Sequence, residues 1–247
     1  MLFIHFKTLF SFSFYRRLML LSGRKAVGFV FYLFCLTMLM FFFFTGSLLT
    51  KNVPVFFKNF PQVTFEKGVL TAPQTPVFAP IPQTDFKIAF DAAAQVPPSA
   101  KELLDQNILA WVNKNQMYLP SANGMQQQTL PENLNFTSTP ETLAKYQSAF
   151  ITALRITLFI SSAFVIAMTM LMNIVLSLGI VLFFNLLNRT HLPKNLLVKL
   201  ALFIQGPLTT LWILWLWFNI PLFGLAQVLL CIIYTQQIFN CLREKPL

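Results

Sequence analysis

Between Ala26 and Thr50 the chain runs for 25 residues without a charge, and the run includes "MFFFF" at 40–44. A helix of that length and composition crosses the roughly 30 Å of a bilayer's hydrocarbon. A secretory signal peptide would have a shorter apolar core, about 7 to 15 residues, ahead of a small-residue cleavage site, and this run fits neither. It is expected to stay in the protein as an anchor, span 1. The whole composition agrees, with 56% apolar and only 11% charged residues, where a soluble domain carries about a quarter charged.

A second apolar block, Ser148 to Leu187, holds a single charge, Arg155. As one helix it would be about 60 Å long, twice what one span needs. Two spans in a hairpin or one long helix would both use that length. No Pro or Gly lies between Ile156 and Ser177 to make a turn. An arginine at mid-bilayer also costs about 2.5 to 3.5 kcal/mol. One long helix over 148–188, with its span at 162–187, keeps Arg155 at or outside the hydrocarbon edge. After a loop at 189–195, 196–218 and 222–241 are spans 3 and 4, joined by Asn219-Ile220-Pro221, and 242–247 is a tail. Gly206-Pro207 lies inside span 3 and predicts a kink or a closely packed neighbour, in preference to a substrate-site break. Trp212, Trp215 and Trp217 gather toward its end, as interfacial aromatics do.

Orientation follows from the cations. With the N-terminus inside, the inner segments hold Lys7, Arg16, Arg17, Arg24, Lys25, Arg189, Lys194, Lys199, Arg243 and Lys245 against one acid, Glu244. Segment 51–147 holds seven lysines and seven acids. Basic residues concentrate on the cytosolic side, so both termini are expected in the cytosol and 51–147 outside. The net charge of +10 is then a topology signal, and no nucleic-acid partner is expected. The basic, aromatic N-terminus, 1–25, looks like an interfacial helix against anionic headgroups, so the lipid bilayer is its partner.

Segment 51–147 carries 11 of the 15 prolines, the sharpest composition shift in the chain. "QVTFE" alternates, with Val63 and Phe65 on one face, and Lys67-Gly68 supplies a turn into "VLT". "DFKIAFD" places Phe86, Ile88 and Phe90 on one face. Ser99 and Glu102 stand at capping-box spacing before a short helix. "ILAWVNKNQMYLPSANGMQQQTLP" reads as strands around turns at Asn113–Asn115 and Asn123-Gly124. Thr139-Pro140 starts the long helix. The expected fold class is membrane α-helical: four transmembrane helices with a small β-rich (α+β) extracytoplasmic module between spans 1 and 2.

No catalytic, cofactor-binding or metal site is expected, and the chain is not expected to be an enzyme. Segment 51–147 contains neither His nor Cys, which excludes the usual nucleophile–base and zinc arrangements there. His5 and His191 fall on the cytosolic edge as structural or headgroup-facing side chains. Asp85 and Asp91 flank one strand and are read as solvated strand ends. Cys35, Cys231 and Cys241 are read as small hydrophobes. The spans hold no acid; Asn173, Asn185, Gln205, Gln227, Gln236 and Gln237 are expected to hydrogen-bond between helices.

"FKTLFSFSFY", "FPQVTFEKGVLTAP", "FKIAFD" and "LVKLALFIQGPLTTL", in this order, resemble the bacterial membrane protein family catalogued as domain of unknown function eleven eighty-nine. Members often show Ser-Pro where this chain has Ser11-Phe12. The resemblance implies a bacterial cytoplasmic membrane and the topology above, and brings no functional residues. Some members bear a label of maltodextrin utilisation. Two functions follow as expectations. One is a non-catalytic membrane protein whose outer module meets a protein partner, lipid or envelope component. The other is an accessory or permease-like component of solute uptake, such as maltodextrin or another sugar.

Overall fold

The structure, a computed structural model, describes residues 1–94, 96–218 and 222–244. Four helices in it are long and apolar enough to cross a membrane. They are α3 (Gly23–Lys58), α5 (Pro140–Leu187), α6 (Lys194–Phe218) and α7 (Phe223–Glu244). The α6–α7 joint at 219–221 lies outside the described residues. Helix α5 is one uninterrupted element of 48 residues, so the second apolar block makes no hairpin. Its start is capped as expected, the Thr142 N–H donating to Thr139 Oγ1 at 3.2 Å ahead of Pro140. Helix α3 continues past Thr50, through Pro54, to Lys58. Pro54 removes only the helical bond to the Thr50 carbonyl.

The chain divides into two compact units, one of Met1–Phe44 with Thr157–Leu247 and one of Thr45–Ile156. In the first, the core gathers Tyr15, Phe29, Leu33, Phe203, Ile204 and Phe239. Phe29 and Phe203 meet at 5.4 Å between ring centroids. The N-terminal residues form two short helices, α1 (Leu2–Phe10) and α2 (Phe14–Leu20), and both pack on α6. Two polar residues of α1, His5 and Thr8, turn toward α6 instead of toward water. Thr8 is buried and His5 Nε2 lies 2.9 Å from Thr210 Oγ1, whereas Leu2, Phe3, Phe6 and Phe10 are exposed. Gly206 marks the crossing, because a Cβ there would collide with Thr8 Oγ1. Of the two expectations for Gly206-Pro207, close packing is what the glycine serves.

The second unit holds two sheets. The smaller has strand order β2-β1-β8, with β1 (Thr64–Glu66), β2 (Val69–Ala72) and β8 (Phe136–Thr137). Lys67 and Gly68 at φ 49° and 76° close the β1–β2 hairpin, the left-handed pair of a type I′ turn. The larger sheet runs β3-β4-β5-β6-β7 over Val77–Pro80, Lys87–Phe90, Ile108–Asn113, Gln116–Ser121 and Gly124–Thr129. Pairing is antiparallel except between β4 and β5, which run parallel. Parallel neighbours need a crossover, and α4 (Ala100–Asp105) lies in it, opened by the Ser99–Glu102 capping box.

One core packs Val63, Phe65, Leu70, Ala79, Phe90 and Val112. The other packs Ala89, Leu103, Ile108 and Trp111. The shared face expected of β4 holds for Ile88 and Phe90 but not for Phe86, and the opposite face is covered as well. Ile88 and Phe90 join the first core, Phe86 is exposed, and Ala89 is fully buried on the opposite side beneath Leu103 of α4. A strand covered on both faces cannot show simple alternation.

Candidate interaction site

Two clefts in the second unit flank the last turns of α3. The larger, about 490 Å³, lies between Pro54, Phe57 and Lys58 of α3 and Pro140, Leu143 and Gln147 of α5, with Phe60, Gln62 and Ser138 completing its wall. The helices touch through Phe57 and Phe150, edge to face at 5.4 Å. Lys58 is the one charged side chain in the lining, and Gln62 and Gln147 add amides. The smaller cleft, about 320 Å³, is apolar, lined by Val53, Phe56, Ile81, Ile88 and Phe150. Asn52 stands at its rim and donates to Gln83 Oε1 at 3.3 Å.

The larger cleft owes its shape to Ser138. The Val63 N–H donates to Ser138 Oγ at 2.6 Å, the Ser138 hydroxyl donates to the Pro61 carbonyl at 2.7 Å, and the Ser138 N–H donates to the Val63 carbonyl at 2.9 Å. The strand that follows α3 and the one that precedes α5 are thereby held together. Chemically, the cleft offers a cation, two amides and aromatic faces. That set can receive an anionic or hydroxylated group by hydrogen bonding.

The residues singled out in sequence are not brought together. Asp85 is exposed, at the opposite end of β4 from Asp91. Asp91 corrects the solvated reading: it is buried, and its Oδ1 accepts from the Ala93 and Ala94 N–H groups at 3.0 and 3.1 Å. Its carboxylate ends the strand in a local turn. Hydrogen bonds from Ser99 hold the Glu102 carboxyl below its ordinary range. Among the described residues no group of three or more His, Cys, Asp or Glu could hold a metal ion. All three cysteines are free thiols. In the first unit Gln205 hydrogen-bonds between helices, Nε2 donating to Ser177 Oγ at 3.0 Å. His191 is exposed. The sequence reading missed Ser138, Lys58, Gln62 and Gln147. Ser138 sits in "FTSTP", where only the adjoining helix start was visible.

Four membrane-length apolar helices, with a β-rich module between the first and second, define a helical class with an inserted α+β unit. The model of the family described as "Protein of unknown function (DUF1189)" matches residues 5–239, and the chain belongs to that family. No curated protein matches the chain, and no solved structure does.

Proposed function

We propose that this is a non-catalytic multi-pass protein of a bacterial cytoplasmic membrane, with both termini cytosolic. Its β-rich unit stands outside and offers the Lys58–Gln62–Gln147 cleft to a protein, lipid or envelope component. The cleft is the observation that carries this reading: it is built and polar-rimmed, and its lining holds no nucleophile–base pair. The cation distribution, ten against one on one side and seven against seven on the other, supports the orientation.

A photocrosslinking residue at Gln62 or Gln147, in native membranes, tests the partner. Specific crosslinks absent from a probe at exposed Lys114 are expected. Hydrolytic or transferase activity of the purified protein, lost on Asp85→Asn or Asp91→Asn, would overturn it. Thiol labelling of single cysteines at Lys114 and His191 tests the orientation, with an impermeant reagent expected to reach only Lys114→Cys in intact cells.

A second reading, an accessory or permease-like part of sugar uptake, draws on the polar Gln205–Ser177–Cys231 run inside the first unit. Unchanged uptake in a deletion strain would remove it.

A further inference from the structure

The elbow between α1 and α2 forms a basic pocket that the proposed outer-module function does not use. Its inner side is fixed to the helices beneath. Tyr234 donates to the Leu9 carbonyl at 2.7 Å, Tyr15 to the Thr8 carbonyl at 3.1 Å, and Lys199 Nζ to the Met19 carbonyl at 3.1 Å. Thr8, Tyr15, Leu18 and Met19 are buried there. The elbow's backbone is thus hydrogen-bonded at both helices.

Its other side opens as a pocket of about 530 Å³ walled by Lys7, Ser11, Ser13, Arg16 and Arg17. The two serine hydroxyl oxygens converge to 3.3 Å. Three cations and two hydroxyls share one pocket, and no acid is among the described residues that line it. The only acidic residue in this unit's sequence is Glu244. Guanidinium forks, an ammonium and hydroxyl donors are what a phosphate oxygen set accepts from. The rest of the wall is apolar, Phe14 and Leu20, and Leu20 is 71% exposed. A free inorganic ion has no use for such a wall, whereas an acyl chain does.

We propose that the α1–α2 elbow is a binding site for the headgroup phosphate of an anionic phospholipid, with Lys7, Arg16, Arg17, Ser11 and Ser13 on the phosphate and Phe14 and Leu20 along the chain. The site rests on the membrane placement proposed above, which membrane fractionation tests separately.

The test uses full-length protein purified in a neutral detergent and supplied with phosphatidylglycerol or phosphatidylcholine, retained lipid being counted by native mass spectrometry. Lys7→Gln/Arg17→Gln removes two exposed side chains and spares the packed face. Arg24→Gln/Lys25→Gln removes the same charge from exposed positions outside the pocket. Wild type and the Arg24/Lys25 variant are expected to retain phosphatidylglycerol over phosphatidylcholine. The Lys7/Arg17 variant is expected to lose about tenfold in phosphatidylglycerol affinity, the scale of one charge-assisted hydrogen bond. Equal loss in both variants, or in neither, would overturn the site. Thermal stabilisation by inorganic phosphate equal to that by phosphatidylglycerol would overturn the lipid assignment. A circular dichroism melt of each variant separates lost binding from lost folding.

Discussion

Val63 and Ser138 exchange hydrogen bonds in both directions, Val63 N–H to Ser138 Oγ at 2.6 Å and Ser138 N–H to the Val63 carbonyl at 2.9 Å. Both residues are buried, at 0% and 3% exposure. Ser138→Ala would leave the Val63 N–H buried without its acceptor, a loss of about 1 to 3 kcal/mol. Ser138→Thr keeps the hydroxyl and should recover part of it. Limited proteolysis of the full-length protein is the check: cleavage within 60–138 is expected to be fastest for the alanine variant and intermediate for the threonine variant. Equal rates for all three proteins would show that the pair does not close the unit.

Gly206 lies under Thr8, with Phe29 Cζ 3.4 Å from where a Cβ would stand. Gly206→Ala should therefore lift α1 from α6 and lower the melting temperature, although alanine is the better helix former by about 1 kcal/mol. Shortening the opposing side chain with Thr8→Gly makes room. The double variant should then be more stable than the two single losses predict, with a coupling of about 0.5 to 3 kcal/mol. Additive losses in a double-mutant cycle would mean that the two residues do not oppose each other.

The long helix, the β1–β2 turn and the capping box were legible because each depends on residues close in sequence. A charge-free run, a Lys-Gly pair and a Ser-x-x-Glu spacing carry their own physics. The two-sided burial of β4 was not legible, since Ala89 is covered by Leu103 from a helix that follows it in the chain. Asp91 looked solvated for a different reason. Its partners are backbone N–H groups of Ala93 and Ala94, which any sequence would supply. The inward turn of His5 and Thr8 was hidden because their partner, α6, lies some 200 residues away, His5 to Gly206 spanning 201 positions. The larger cleft needs Pro54 and Gln147 brought together, and no local pattern records that.

Glu102 gives a pH dependence with a defined sign. Its carboxylate accepts from the Ser99 N–H at 2.8 Å, and hydrogen bonds from Ser99 lower its pKa from the ordinary 4.5. A folded-state pKa below the unfolded one means that the charged cap stabilises above pH 4.5. That contribution disappears as pH falls through the lowered folded value. Glu102→Gln can still accept at the cap but carries no charge. The stability difference between wild type and Glu102→Gln, from thermal melts, should be constant near neutrality and shrink as the pH is taken below 4.5. A difference unchanged down to strongly acidic pH would remove the ionised carboxylate from the cap.

Two buried hydroxyls in the first unit should respond in opposite directions to deletion. Ser177 Oγ accepts from Gln205 Nε2 at 3.0 Å, and both side chains are buried. Ser177→Ala removes that acceptor and should cost about 0.6 kcal/mol, the mean for hydrogen bonds between helices in a membrane. Gln205 keeps its bond to the Ala201 carbonyl at 3.0 Å, which limits the loss. Thr37 is 2% exposed, and its Oγ1 has no hydrogen-bond partner among the described residues. Several span hydroxyls donate to their own helix, as Thr169 does to the Val165 carbonyl at 2.8 Å. Thr37→Val keeps the shape and deletes an unsatisfied group, so it should stabilise by about 1 kcal/mol. Tryptophan-fluorescence melts of the two variants in one detergent decide it. A destabilised Thr37→Val would mean that the hydroxyl has a partner in the folded protein, and the cavity it shares with Thr169, Asn173 and Thr209 would be the place to look for it.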